Sequence, residues 1–303
     1  MANILVSGLI NIETTVEVEE FPIPYSPVEY NFFGVDATVS GVGYNVSKAL
    51  TRLGDRVSFL SIIGQDLAVA SVRAEFAANY LSDEHVLDIA AQTARSIIFF
   101  DKEGRRKILV DLKDMQEQRY PMDVFERTIV NANLAVLCNI NFSRPMLKPA
   151  KAMGKLIATD VHTLSDVESE YDREFMEAAD ILFMSHELLP APPPEFANEM
   201  MRRYKPRALV ISLGKAGALM RLRDDGDTYQ YPAVDVRPVV NTIGAGDSLF
   251  SAFVHGYAAH LSPQEALKRA LVFAAYKIGV RSASEGFLSS QRLEELYSQY
   301  GGG

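Results

Sequence analysis

The chain has 303 residues, 48% of them hydrophobic, and carries 39 acidic against 30 basic side chains for a net charge of -9. Its apolar content suffices for a substantial core, in one large α/β domain or two smaller ones, and excludes a mainly disordered chain. The acidic balance excludes a general nucleic-acid binder, which needs a basic face to neutralise phosphates, while leaving room for a local pocket for a small anion.

The chain opens on a short β-type run, NILVSGLI (3–10), with neither the basic flank nor the long apolar core of a secretory leader. No later run approaches the ~20 residues of a membrane span, so a cytoplasmic protein is expected, with no membrane or nucleic-acid partner. Residues 12–39 and 95–111 alternate polar and apolar side chains, the second around a turn at DKEG. They predict antiparallel strands outside the main sheet, either a small lid or an edge extension.

Between and after these segments, apolar β-branched runs alternate with helical patterns. VSFLSII (57–63), LAVLCNI (134–140), KLIATD (155–160), DILFMS (180–185) and ALVISLG (208–214) have the length and continuity of strands buried on both faces. GYNVSKALTRLG, DLAVASVRAEFAANYL, DREFMEAA, PEFANEMMRRY and SPQEALKRALVFAAYKIGV supply helices, the last entered through Ser262 and Pro263 and PEFANEMMRRY preceded by a rigid PAPPP loop. This alternation predicts a doubly wound, mostly parallel sheet with helices on both faces. With no linker or repeat visible, residues 1–303 are expected to form a single domain with the lid strands inserted. The one cysteine, Cys138, lies in an apolar run and is expected to be a buried, reduced thiol rather than a nucleophile.

The stretch NTIGAGDSLFSAF (241–253) places Gly244, Ala245, Gly246 and Asp247 directly before apolar residues at helical spacing. A helix start presents unpaired N–H groups and a partial positive charge, and glycines there let a phosphate approach the backbone. Asp247 would project from the first turn, kept ionised by the helix dipole, as a general base for a hydroxyl attacking a phosphoryl centre. A capping role for Asp247 is the alternative that the local pattern leaves open. A second glycine stretch, SGVGYNVSKALTRLG (40–54), lacks the third glycine of the dinucleotide fingerprint. Its Asn45, with one acceptor and two donors, suits polyol hydroxyls, or an ordinary helix cap.

Together these stretches resemble the PfkB, or ribokinase-like, family of carbohydrate and nucleoside kinases. The family's D-T-x-G-A-G-D signature falls on Asn241 to Asp247 and departs only at Asn241; its G-G-x-x-x-N falls on Ser40, Gly41 and Asn45. LVSGLINIE resembles the opening strand with its substrate-binding acid, IIGQD the family's G-x-D, and SLGKAG its L-G-x-x-G. The resemblance implies a ribokinase-like fold with a β lid, a sugar or nucleoside beneath that lid, and ATP–Mg2+ across the C-terminal half. By the same resemblance Asp247 is the base and Gly244, Ala245 and Gly246 form the anion hole. Asn11, Glu13, Gly41, Gly43 and Asn45 would contact the acceptor, and Ser212, Gly214, Gly217, Thr242 and Ala275 the nucleotide, with the helix around Val272 to Tyr276 near its base. The oligomeric state is left open by the sequence, although an exposed lid edge could pair across a homodimer.

Several positions depart from the family pattern. The lid acid is Glu13 in place of Asp, and the first glycine is Ser40. N-x-x-E becomes Ser185, His186, Glu187 and Leu188, leaving Glu187 to serve Mg2+ through water. Asn241 replaces an aspartate that helps hold a monovalent cation in some members, which argues against potassium activation. These departures support a rival reading, a catalytically silent sensor of a sugar or nucleotide, whereas the retained Asp247 and glycine turn favour a kinase. Of the remaining polar groups, Arg95 is expected to be a solvated lid charge, with an anionic acceptor group as the alternative. Arg105, Arg106 and Lys107 are expected in an exposed turn rather than a phosphate clamp, and Asp160, His162 and His186 to line a pocket rather than bind zinc.

Overall fold

The computed structural model describes residues 1–301. In chain order, β1 (Asn3–Ser7) is followed by β2 (Asn11–Glu17), β3 (Val35–Ser40), α1 (Val42–Arg52), β4 (Arg56–Gly64), α2 (Ala68–Ala78) and β5 (Val86–Ala90). The middle of the chain carries β6 (Ala94–Phe100), β7 (Arg106–Asp111), α3 (Met122–Ile129), β8 (Leu134–Leu137), α4 (Leu147–Ala152), β9 (Leu156–Thr163), α5 (Arg173–Ala178) and β10 (Ile181–Ser185). The last third adds α6 (Pro193–Tyr204), β11 (Ala208–Ser212), β12 (Ala218–Leu222), β13 (Thr228–Tyr231), α7 (Ala245–Ala258), α8 (Pro263–Lys277) and α9 (Ser290–Tyr300).

The main sheet is ordered β13–β12–β11–β10–β9–β8–β1–β4–β5 and is parallel from β11 to β5. Its strands are apolar on both faces because successive residues enter different cores. Ile4 and Val6 of β1 join the cluster packed by α7 and α8, while Leu5 joins the one on the opposite face; Ile181 and Phe183 alternate with Leu182 and Met184 in the same way. Helices therefore cover both faces, as the continuous apolar runs require. The antiparallel edge formed by β12 and β13 is an addition that the sequence reading did not single out.

The chain begins at β1 in mid-sheet, builds outward through β4 and β5, then returns to add β8 on the other side. This reversal opens a crevice at the carboxyl ends of β1 and β8, the position where open α/β sheets bind ligands. Gly8 sits there, and a Cβ on it would lie 2.6 Å from Cys138 Sγ and 2.7 Å from Gly43 Cα. The glycine thus lets the first turn of α1 close onto the sheet. Cys138 is buried and free, its thiol pushed up by burial, as the sequence suggested.

The second sheet is ordered β3–β2–β6–β7. It corrects the expectation of purely antiparallel lid strands, because β2 and β6 run parallel and only the outer pairs are antiparallel. The cause lies in the main sheet, where β1, β4 and β5 are mutually parallel. Leaving β1 and β5 in the same sense, the chain enters β2 and β6 in the same sense. Residues 18–34 carry no strand. Ile98 and Phe100 of β6 pack with Ile243 and Ala283 in a separate buried cluster, so the lid core rests on the glycine turn. The predicted G-x-D ties the start of α2 to the entry of β6, since Asp66 accepts the backbone N–H and hydroxyl of Thr93 at 3.0 and 2.9 Å and caps Ala68 N at 3.1 Å. Burial alone would raise the Asp66 carboxyl, and these bonds outweigh it to hold it below the usual carboxylate range.

Candidate active site

The two glycine stretches, far apart in sequence, meet at the mouth of the crevice. Gly244 stands before α7 with φ 72°, a left-handed conformation natural to glycine, and no side chain caps this helix. The Ala245 N–H bonds to Thr242 O at 3.2 Å, whereas the N–H groups of Gly244, Gly246 and Asp247 find no acceptor among the described residues. A Cβ on Gly246 would meet nothing within 4 Å, but one on Gly244 would come within 2.8 Å of Ala283 O. The two glycines therefore serve different ends: Gly244 shapes the turn, and Gly246 leaves open space before free amides. Such amides at a helix start suit the charged phosphates of a nucleotide.

Asp247 lies in the first turn of α7, and Asn45 of α1 donates to its Oδ2 at 2.7 Å. Asn45 Oδ1 lies 3.4 Å from Ser40 Oγ, which donates to Glu13 Oε2 at 3.1 Å. Four residues from β2, β3, α1 and α7 thus form one chain of polar contacts. Asn11 donates to Ser96 Oγ at 2.9 Å from the neighbouring lid strand. Two acceptors in this group, Glu13 Oε1 and Asn11 Oδ1, are buried without a partner. Buried acceptors without donors are costly, and hydroxyl groups of a bound polyol would satisfy them.

Electrostatics corrects one expectation. Desolvation pushes the Asp247 carboxyl above the ordinary aspartate value, with Asp160 adding to the push, and together these outweigh the Asn45 bond and the nearby His162 and Lys277. The helix dipole favours the ionised form of Asp247, but burial outweighs it and holds the carboxyl above the ordinary aspartate value. Burial raises Glu13 too, and the Asp247 charge contributes while Ser40 and Lys277 oppose. Asp160 and His162, in the second half of β9, are close enough for their charges to bear on the Asp247 carboxyl. Asp160 Oδ1 accepts His162 N at 2.8 Å, and His162 adopts φ 60°.

The acceptor-side glycines have packing roles. Gly41 has φ 107°, and a Cβ there would come 2.5 Å from Leu9 O; a Cβ on Gly43 would meet Gly8 C at 2.4 Å. Of the residues expected to meet the nucleotide, Ser212 ends β11 and its carbonyl accepts both the backbone N–H of His186 and an Nδ1 contact, each at 3.0 Å. Gly214 and Gly217 bound the next turn with φ 56° and 96°. Ala275 is buried within α8.

Two residues went unrecognised in the sequence. Arg106, expected in a solvated turn, starts β7 and reaches across to donate to Thr242 Oγ1 at 3.1 Å and to Glu187 Oε1 at 2.9 Å. The turn expectation holds for its neighbour Arg105, tied to Asp101 at 2.6 Å, and Arg95 is exposed on β6. Lys277, at the end of α8, is fully buried and donates from Nζ to Ile243 O. It falls four residues after buried Phe273, so helical spacing already placed it on the inner face. Among the described residues no group of three metal-ligating side chains forms. Mg2+ bound mainly by phosphates and water needs only one or two carboxylates, and Glu187 would have to release Arg106 to serve.

Comparison with known proteins agrees with this architecture. Acarbose 7(IV)-phosphotransferase of Actinoplanes sp. is 25% identical over 296 residues, covering 96% of this chain and 97% of that protein. Ribokinase of Lactococcus lactis is 26% identical over 291 residues, covering 90% and 89%. Among solved structures, a microbiome-derived acarbose kinase superposes with a TM-score of 0.87 at 23% identity over 98% of this chain and 99% of that one. Arabidopsis thaliana ribokinase, complexed with ribose and ATP, gives 0.79 at 18% identity over 97% and 98%; both likenesses concern the fold. Residues 1–290 match the pfkB family carbohydrate kinase pattern as a whole, and the chain belongs to that family.

Proposed function

We propose that this protein transfers the γ-phosphoryl group of ATP to a hydroxyl of a sugar or sugar-like polyol, with a nucleoside as the less favoured acceptor. The observation that carries this reading is the pairing of unpartnered buried acceptors on Glu13 and Asn11 with the run of polar contacts that leads past Ser40 and Asn45 to Asp247. A sugar ring presents adjacent hydroxyl donors in the spacing that such acceptors require, and the named relatives act on sugars.

In this reading ATP–Mg2+ supplies the phosphoryl group and neutralises much of its charge. Asp247 takes the proton from the acceptor hydroxyl, and its raised carboxyl makes it a better base than an ordinary aspartate. Asn45 orients the Asp247 carboxylate, leaving Oδ1 for the hydroxyl. The free N–H groups of Gly244, Gly246 and Asp247 face the charge that develops on the transferred group, where fixed dipoles need no reorganisation. Glu13 and Asn11 hold the ring so that one hydroxyl lies against Asp247. Of the departures behind the rival sensor reading, Ser40 bonds Glu13 and Asn241 bonds the Arg281 carbonyl, so both have local partners, while those at Ser185 and Leu188 continue to speak for it. Residues 1–303 act as one unit in this scheme, with the lid closing over the acceptor.

The test is a thermal-shift screen of monosaccharides, sugar phosphates, oligosaccharides and nucleosides, with and without ATP–Mg2+, followed by a sugar-dependent ADP-release assay on the hits. A sugar should raise the apparent stability and stimulate ADP release. Stabilisation by a sugar without ADP release would favour the sensor.

A further inference from the structure

An ammonium group buried behind the anion-binding turn needs a reason. Lys277 is 0% exposed, yet its Nζ forms no ion pair with any carboxylate among the described residues. It donates instead to the carbonyl of Ile243, the residue before the Gly244 turn. The position a Gly244 Cβ would occupy is 3.2 Å from Lys277 Nζ and 2.8 Å from Ala283 O, so the ammonium lies where the 241–244 turn and the 281–283 loop face each other. Asn241 joins the same two segments, donating from Nδ2 to Arg281 O at 2.6 Å and accepting Ile243 N at 3.0 Å. A buried carbonyl needs a donor, and here Lys277 serves Ile243 while Asn241 serves Arg281. An aspartate at 241 would turn a carboxylate oxygen toward the Arg281 carbonyl, whereas the asparagine supplies a donor.

We infer that the Lys277 ammonium is a tethered monovalent cation of the site: it holds the Ile243 carbonyl so that the amides of Gly244 to Asp247 face the cleft, and supplies a fixed positive charge behind them. Lys277 is thus a positioning residue, acting through the turn, and the protein has no need of an exchangeable potassium ion there. The inference rests on the kinase reading for its kinetic consequences but not for its structural ones.

The charged groups acting on Lys277 are Asp247, Glu13 and Glu285, which favour its protonated form, and Arg237, which opposes it; burial is the largest influence and brings the amine down to about 8. As pH rises through that value the positive charge is lost, and kcat should fall. Stability should move the other way. A lysine depressed in the folded state binds its proton more weakly than in the unfolded chain, so its linkage adds stability as pH climbs from about 8 toward the ordinary lysine value. A merely structural lysine would not give opposite trends in kcat and Tm.

The decisive experiment uses the full chain and its Lys277→Ala and Lys277→Met variants, compared in ammonium, potassium and tetramethylammonium chloride at equal ionic strength. Wild type should show the same Tm and kcat in all three salts. Lys277→Ala leaves a void for a small cation, so its ligand-free Tm should rise in ammonium or potassium over tetramethylammonium. Its kcat with ATP and the acceptor identified by the screen should recover at least tenfold, with acceptor KM changing little. Lys277→Met fills the space without charge and should lose tenfold or more in kcat with no recovery in any salt. A cation-responsive Tm in Lys277→Ala without any sugar-dependent ADP release would uphold the cation role and sink the kinase reading. An active, folded Lys277→Ala indifferent to ammonium and potassium, a fully active Lys277→Met, or a wild type requiring potassium would overturn the inference while leaving the kinase reading intact.

Discussion

The two sides of the cleft follow opposite plans. On the proposed acceptor side, Asn11, Glu13, Ser40 and Asn45 are between 0% and 6% exposed and connected to one another or to neighbouring lid strands. On the nucleotide side, His186 and Glu187 are exposed, Gly246 borders open space, and the available groups are backbone amides. Buried side-chain acceptors penalise any ligand that lacks a matching donor, whereas amides at a helix start respond to negative charge of any shape. Discrimination among substrates should therefore reside with the acceptor, and substitutions on the two sides should separate acceptor KM from nucleotide KM.

The largest effect is expected where the two plans meet. Asp247→Asn removes the base while keeping its size, so kcat should fall roughly 10²-fold or more with ATP affinity nearly unchanged. The same substitution should raise the ligand-free Tm. Asp247 has a folded-state carboxyl above its unfolded value, so protonation favours the folded form; its contribution to stability is fully present below the unfolded pKa and is lost as pH rises through the folded one. At neutral pH the ionised carboxylate is therefore a cost that asparagine removes. For the same reason the acid limb of the kcat profile should lie above the range of an ordinary aspartate. Wild-type turnover in the variant, or an acid limb in the ordinary range, would remove Asp247 from the chemistry.

Next comes the nucleotide side, where Gly246 offers a cleaner probe than Gly244. Gly246→Val places its side chain where nothing now lies within 4 Å, so the fold should survive while phosphoryl transfer drops by an order of magnitude or more and ATP KM rises. Gly246→Ala should lose less activity, and replacing glycine in a helix can add up to about 1 kcal/mol of stability. Normal kinetics in a folded Gly246→Val protein would mean that the phosphate binds elsewhere. On the acceptor side, Glu13→Gln exchanges an acceptor for a donor. A buried mismatch costs on the order of 1 to 3 kcal/mol, so acceptor KM should rise roughly tenfold or more while ATP KM stays put. If both constants move together, Glu13 supports the lid without touching the acceptor.

The fold was largely legible because its strands are buried on both faces, so Ile4 and Val6 enter one core and Leu5 the other, and the chain must write that as continuous apolar runs. The glycine turn was legible because φ 72° at Gly244, with the Ala283 carbonyl close by, admits few residues other than glycine. The direction of β6 relative to β2 was not, since it is inherited from β1 and β5 and no residue in either lid strand encodes it. Arg106 and Lys277 escaped for different reasons. Arg106 resembles any basic residue after a hairpin turn, and only the packing of the small sheet against the 241–244 turn brings it to Thr242. Lys277 was visible in principle, as a cation on the buried face of α8, one position beyond the Val272–Tyr276 stretch singled out from the sequence.

Arg106 gives the smallest expected effect and the sharpest test of how the two sides communicate. It is the lid's direct side-chain reach to the nucleotide side, bonding Thr242 and Glu187 with 31% of its side chain exposed. Partly solvated ion pairs of this kind contribute up to about 1 kcal/mol and weaken with salt. If Arg106 only ties the lid down, Arg106→Ala should change ATP KM by no more than about fivefold, leave acceptor KM unchanged, and reduce the ionic-strength dependence seen in wild type. Arg106→Lys should restore little, because a point charge cannot reach two partners with the geometry of a planar fork. Steady-state kinetics from low to high salt would check this directly. A loss in kcat beyond about tenfold would require another role: Arg106 would have to leave Glu187 during turnover and face the transferred phosphoryl group. The acceptor-side lid would then contribute a charge to the chemistry on the open side.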